Sequence, residues 1–246
     1  MIRRDIRNRR ASPQHSGGGP PPGFDPNDAA AWGLPLWGLR SDVAGSMFTT
    51  QFGGVVAGNG DPVARWEDQT VNGRHFSTSG PTCTKDNAGI GGLPSVDFAA
   101  SELFSPAFAI NQPCTIYCVC SIFNFGTIAL LVGQTTMAIQ VYSTALANIA
   151  SYSGASNILS IADHSTNHAY CFVFDGASST IRQDALEQVG DVGVLDEPSG
   201  LILGGYQAGL YQIDGQVSWF WGYGVAHSPS QRDAYMAALA ALFGTP

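Results

Sequence analysis

The side chains that could carry chemistry in this 246-residue chain are few, and their spacing rules out more than it permits. Retaining hydrolysis of a glycosidic bond needs two carboxylates about 5 Å apart, a separation that residues two apart on one strand face can provide. Glutamate occurs only at positions 67, 102, 187 and 197, and none of the four has an acidic residue two positions away. The adjacent pairs Glu67-Asp68 and Asp196-Glu197 point to opposite faces of any extended strand. Histidines at 15, 75, 164, 168 and 227 show no ligand spacing for a metal. Cys114, Cys118 and Cys120 share parity on one apparent strand, but their spacing matches no zinc pattern. Together with Cys83 and Cys171 they are expected to be free thiols, packed in a core as buried cysteine usually is. The sequence also lacks a Gly-x-Ser-x-Gly elbow, a His-Glu-x-x-His helix and a phosphate loop. The expectation is therefore a protein that is not an enzyme and has no metal centre.

Binding chemistry is better represented. In "QVSWFWGYGV" the residues Trp219, Trp221 and Tyr223 alternate onto one face, where rings in a row stack on sugars or on a protein partner. The same row could instead pack beneath a C-terminal helix, the larger return on aromatic area. Asp68 and Asn72 either brace a turn or take part in a calcium site, the one cofactor the sequence leaves open. At the N-terminus, "MIRRDIRNRR" gathers five of the eleven Lys and Arg residues. Arg3, Arg4, Arg7, Arg9 and Arg10 suit bidentate pairing with carboxylates, and Ile2 and Ile6 could fill apolar pockets of a partner. Without those ten residues the net charge falls from −8 to −12, with Lys85 the single lysine. So acidic a body repels nucleic acid and anionic membrane, and neither is an expected partner.

The elements that must position these residues are mostly strands. Only 12% of residues are charged and 30 are glycine, a composition suited to a two-sided β-structure with many turns. "CTIYCVCSIF" (114–123) alternates, "HAYCFVF" (168–174) is apolar on both faces like a central strand, and "SGLILGG" (199–205) and "GQVSWFWGYGVA" (215–226) complete the clearest strands. Asn72-Gly73, Asp175-Gly176 and Asp214-Gly215 read as turns. One helix interrupts: in "HSPSQRDAYMAALAALFG", Ser228 is the N-cap, Pro229 the first helical residue, Gln231 closes a capping box and Gly244 ends the helix. "PQHSGGGPPPG" (13–23) reads as a linker, which divides the chain into an arm, 1–23, and a folded body, 24–246. The arm lacks the apolar stretch of a secretory signal, and no run of about eighteen apolar residues could span a membrane.

Several stretches in order, "GDPVARWEDQTVNGRHFS" (60–77), "GLPSVDF" (92–98), "HAYCFVFDGASSTIRQDA" (168–185) and "LILGGYQAGLYQIDGQVSWFWGYG" (201–224), resemble LamG-like, concanavalin A-like jelly rolls. Ser41, Asp42, Phe48, Trp66, Asp68, Asn72, Gly73 and His75 also match a block pattern similar to that of tailed-phage and prophage virion modules. The resemblance implies an all-β jelly-roll sandwich with a short C-terminal helix. It further implies a head-decoration or tail-associated virion protein, anchored by its arm to a capsid or tail subunit within a large assembly or homo-oligomer. The alternative it leaves is a carbohydrate- or receptor-binding module of a tail fibre or bacterial surface protein. The superfamily's glucanases carry an E-x-D motif, which is missing here.

Overall fold

The computed structural model describes residues 23–78, 80, 82–124, 128–133, 136–142, 148–154, 159–162, 167–205 and 212–246. The arm residues Ile2, Arg3, Arg4, Ile6, Arg7, Arg9 and Arg10 lie outside them. Among the described residues the chain is an all-β sandwich: two antiparallel sheets, each of nine strands, with a C-terminal helix on one outer face.

Parity explains the layering. In Cys114–Asn124, the residues Cys114, Ile116, Cys118, Cys120 and Ile122 enter the core between the sheets, while Tyr117 and Val119 face the other way. Its antiparallel neighbour His168–Phe174 repeats this, with Tyr170, Phe172 and Phe174 inward and Ala169, Cys171 and Val173 outward. Both faces are buried, which is why this segment shows no polar alternation. On the far side of Cys114–Asn124 lies Asp214–Tyr223, the longest contact in the first sheet. A register shift between Val217 and Trp219 changes its parity: Val217 and Phe220 point into the core, whereas Trp219, Trp221 and Tyr223 point out.

Asp214-Gly215, expected as a turn, begins this strand instead. A Cβ at Gly215 would collide with the Ser121 carbonyl of the neighbouring strand, so the glycine serves close backbone approach at a bulge and not a reversal. The strand expected over 199–205 contracts to Ile202–Leu203. All five cysteines are free and buried, and burial holds the Cys83 and Cys171 thiols protonated, pushed up to about 12.

The helix Pro229–Phe243 forms as its caps require. Ser228 Oγ accepts from the Gln231 amide, the Gln231 side chain reaches back to the Ser228 amide, and Gly244 closes the end at φ 64°. It covers the outward face of the first sheet with Tyr235, Met236, Leu239, Leu242 and Phe243. Arg232 clamps it down through Glu187 (2.8 Å) and the His227 carbonyl (2.8 Å). A strap containing the short helix Ala29–Trp32, which the sequence pattern did not signal, fills the remaining edge with Phe24 and Trp32.

Candidate functional site

Trp219, Trp221 and Tyr223 are fully buried in this helix-covered layer. Trp219 and Trp221 stack at 5.3 Å between centroids, and Phe24, Tyr235 and Phe243 pack around Trp219. The Arg40 guanidinium sits 5.0 Å from the Trp219 ring. Tyr223 donates its hydroxyl to the Pro26 carbonyl at 2.7 Å. As placed, the row offers no ring face to a ligand, so of its two readings the packing beneath the C-terminal helix is the one seen and the stacking platform is set aside. The physical reason is the helix, whose buried residues Tyr235, Met236, Leu239, Leu242 and Phe243 need the same rings to cover them.

The expected turn residues are also committed. Asp68 Oδ1 accepts from the amides of Gly38 (2.8 Å) and Thr70 (2.9 Å), and Oδ2 from the Arg74 amide (2.7 Å) and the Thr70 hydroxyl (2.9 Å). Asn72 donates to the carbonyls of Pro35 and Leu36 at 2.8 and 3.0 Å. Both carboxylate oxygens thus hold the turn against the strand Pro35–Arg40, a poor fit to calcium. No group of three or more metal-binding side chains occurs among the described residues.

This brace delivers His75. The Asp68 amide donates to His75 Nδ1 at 3.2 Å, so the neutral ring carries its proton on Nε2. Beside it the second sheet presents a cross-strand row. Arg65 pairs with Ser77 and Ser77 with Phe104, one residue from each of the strands Arg65–Trp66, Phe76–Ser77 and Leu103–Phe104. Their neighbours Trp66, Phe76 and Leu103 point into the core, so the row points outward.

Over this row lies a groove of about 360 Å³, lined by Gln51, Arg65, Gly73, His75, Ser77, Phe104, Ser105 and Pro106. Arg65 is fixed by Glu67 at 2.9 Å, yet its Nε is buried with no hydrogen-bond partner among the described residues. An unpaired buried donor costs about 1–3 kcal/mol, and more on a charged group. The groove therefore offers polar groups from Arg65, His75, Ser77 and Gln51 around one half-buried phenyl ring. Such a lining suits a ligand with hydroxyl groups and an apolar face. Among the described residues no carboxylate lines it. Sequence reasoning noted His75 as a matching position but missed the groove, because its lining residues come from separate stretches between 51 and 106.

The comparisons support the architecture. No protein-family model matches the chain, and no curated protein does. Among solved structures, Trypanosoma rangeli sialidase aligns with 83% of this chain at a TM-score of 0.56 and 10% identity. The chain spans about a third of that protein's length. The binding domain of Paraclostridial Mosquitocidal Protein 1 gives a TM-score of 0.58 over 76% of this chain and 54% of its own, at 12% identity. Domain 4 of AbnA, a GH43 extracellular arabinanase from Geobacillus stearothermophilus solved with arabinotriose, gives 0.52 over 71% of this chain and 97% of its own, at 14% identity. At these identities the likeness is one of fold alone, a β-sandwich.

Proposed function

We propose that the chain is a non-enzymatic carbohydrate-binding module that holds a glycan in the groove over Arg65, Ser77 and Phe104. The observation that carries this reading is the outward row itself: hydrogen-bonding side chains beside a phenyl ring, in a groove that the helix does not cover. The arabinanase domain solved with arabinotriose supports the class of ligand, on an architecture shared at low identity. Binding without hydrolysis is supported by a lining with no carboxylate among the described residues and by Glu67 being engaged by Arg65. The virion-anchoring role rests on residues 1–23, of which 1–22 lie outside the described structure. It is compatible with a binding module displayed on a particle or cell surface.

The test is a glycan array probed with the wild-type chain and with Ser77→Trp, which fills the groove from its centre. Binding to a defined set of glycans that disappears in Ser77→Trp, at an unchanged melting temperature, is the expected result. A wild-type chain that binds no glycan, or binding that survives Ser77→Trp, overturns the reading.

A further inference from the structure

The loop beside the groove carries a feature that the groove alone leaves unexplained. We propose that Phe52 is a second stacking platform, so that the site grips a stretch of glycan chain longer than one sugar; this rests on the carbohydrate reading above. Phe52 is 93% exposed, the most exposed aromatic ring among the described residues, and Phe123 follows at 52%. The residue before it, Gln51, lines the groove, and its side-chain amide donates to the carbonyl of Thr78, directly after Ser77. That bond pins the loop at the groove's rim.

The tip is a constructed turn. Thr49 donates its amide to the Val55 carbonyl at 3.0 Å, Gly53 donates to the Thr50 carbonyl at 3.2 Å, and Phe48 bridges Val56 at the loop's base. Gly53 and Gly54 take φ of 84° and 108°, a left-handed pair that only glycine adopts without strain and that leaves Phe52 projecting. A phenyl ring kept in water at such a position forgoes burial, which a stacked ligand restores. The floor is long enough for this arrangement. Arg65, Ser77 and Phe104 lie on three neighbouring strands, so with a strand spacing of about 4.8 Å they span about 10 Å across the sheet. A ring seated over Phe104 and His75 leaves the next units of a chain to extend across Arg65 toward the loop of Gln51 and Phe52.

Isothermal titration of the full chain and of Phe52→Ala, each with monosaccharides and with the matching di- and trisaccharides, tests the assignment. The panel includes arabinotriose, cellotriose and chitotriose, and the best binder of the wild type sets the series. The expected result is a loss of about tenfold for the trisaccharide and no change for the monosaccharide. Equal affinities of the two proteins for the trisaccharide overturn the role of Phe52 while leaving the groove intact. So does an equal loss for mono- and trisaccharide. A change of oligomeric state in Phe52→Ala without a change in sugar affinity assigns the ring to self-association and overturns it too. If neither protein binds any sugar in the panel, the carbohydrate reading and the Phe52 assignment fall together.

Discussion

The two outer faces of the sandwich are built from similar materials and end in opposite states. On the first sheet Trp219, Trp221 and Tyr223 line up as a sugar platform would, and the helix Pro229–Phe243 buries them completely. On the second sheet the row Arg65, Ser77, Phe104 is chemically unremarkable in the sequence, and it lies under an open groove. An aromatic row is thus no guide to a binding face until the partner of each face is known. Here the richer face is already satisfied by its own chain, and the poorer one has polar groups to spare.

The comparison breaks most sharply at Trp221. Replacing it with alanine is expected to destabilise the fold by about 3–5 kcal/mol in denaturant titration, through the cavity left beneath the helix. A small loss together with abolished ligand binding would reverse the roles of the two faces. The next largest effect is expected at Gly222. Strand pairing sets Trp37 against Gly222 and Trp221 against Gly38, and a Cβ at either glycine would lie 2.2–2.5 Å from atoms of the facing indole ring. Gly222→Ala should cost about 1–3 kcal/mol by overpacking, and an unchanged denaturation midpoint would contradict this nesting.

The covered face should also set the pH range of stability. His227 donates from Nε2 to the Trp32 carbonyl at 2.7 Å, and its Nδ1 lies 2.8 Å from the Tyr117 hydroxyl, which can donate to the neutral ring. Burial, aided by the Arg232 charge, lowers its pKa. As pH falls below the ordinary histidine value of about 6.5, the unfolded chain takes up a proton that the folded chain refuses. Stability should therefore decline on the acid side, by at most about 1.4 kcal/mol per pH unit from this residue. His227→Gln should flatten that limb of the melting-temperature profile. Burial raises Tyr117, Tyr223 and Tyr235 well above the usual phenol value, so their contribution is lost as pH climbs past about 10 and the unfolded chain ionises. An acid limb unchanged in His227→Gln would remove the histidine from this account. The smallest effect belongs to the cap: Ser228→Ala should cost about 1 kcal/mol and leave the groove untouched, read by denaturant titration alongside ligand binding.

Much of the covered face was legible in the sequence because its signals are local. Ser228, Pro229, Gln231 and Gly244 mark the helix, the alternation in Cys114–Asn124 marks the layers, and the unbroken apolar run of His168–Phe174 marks a central strand. The packing alternative for Trp219, Trp221 and Tyr223 could be named but not decided, since nothing near these residues tells whether a distant helix lies over them. The groove was illegible for a different reason. Its strands Arg65–Trp66, Phe76–Ser77 and Leu103–Phe104 are two residues long, too short to carry a period, and the pairing of Arg65 with Ser77 and Ser77 with Phe104 is a tertiary fact. At Asp214-Gly215 the local signal misled, because a glycine needed for close approach looks the same as a glycine needed for a turn.

The central claim is that the open face binds and the covered face supports. Amide chemical shifts followed during titration with the tightest-binding glycan test it most directly. The account predicts perturbations confined to Gln51, Arg65, His75, Ser77, Phe104 and Ser105 with their loop neighbours. Shifts centred on Trp219, Trp221, Tyr223 and the helix Pro229–Phe243, with the groove silent, would contradict it.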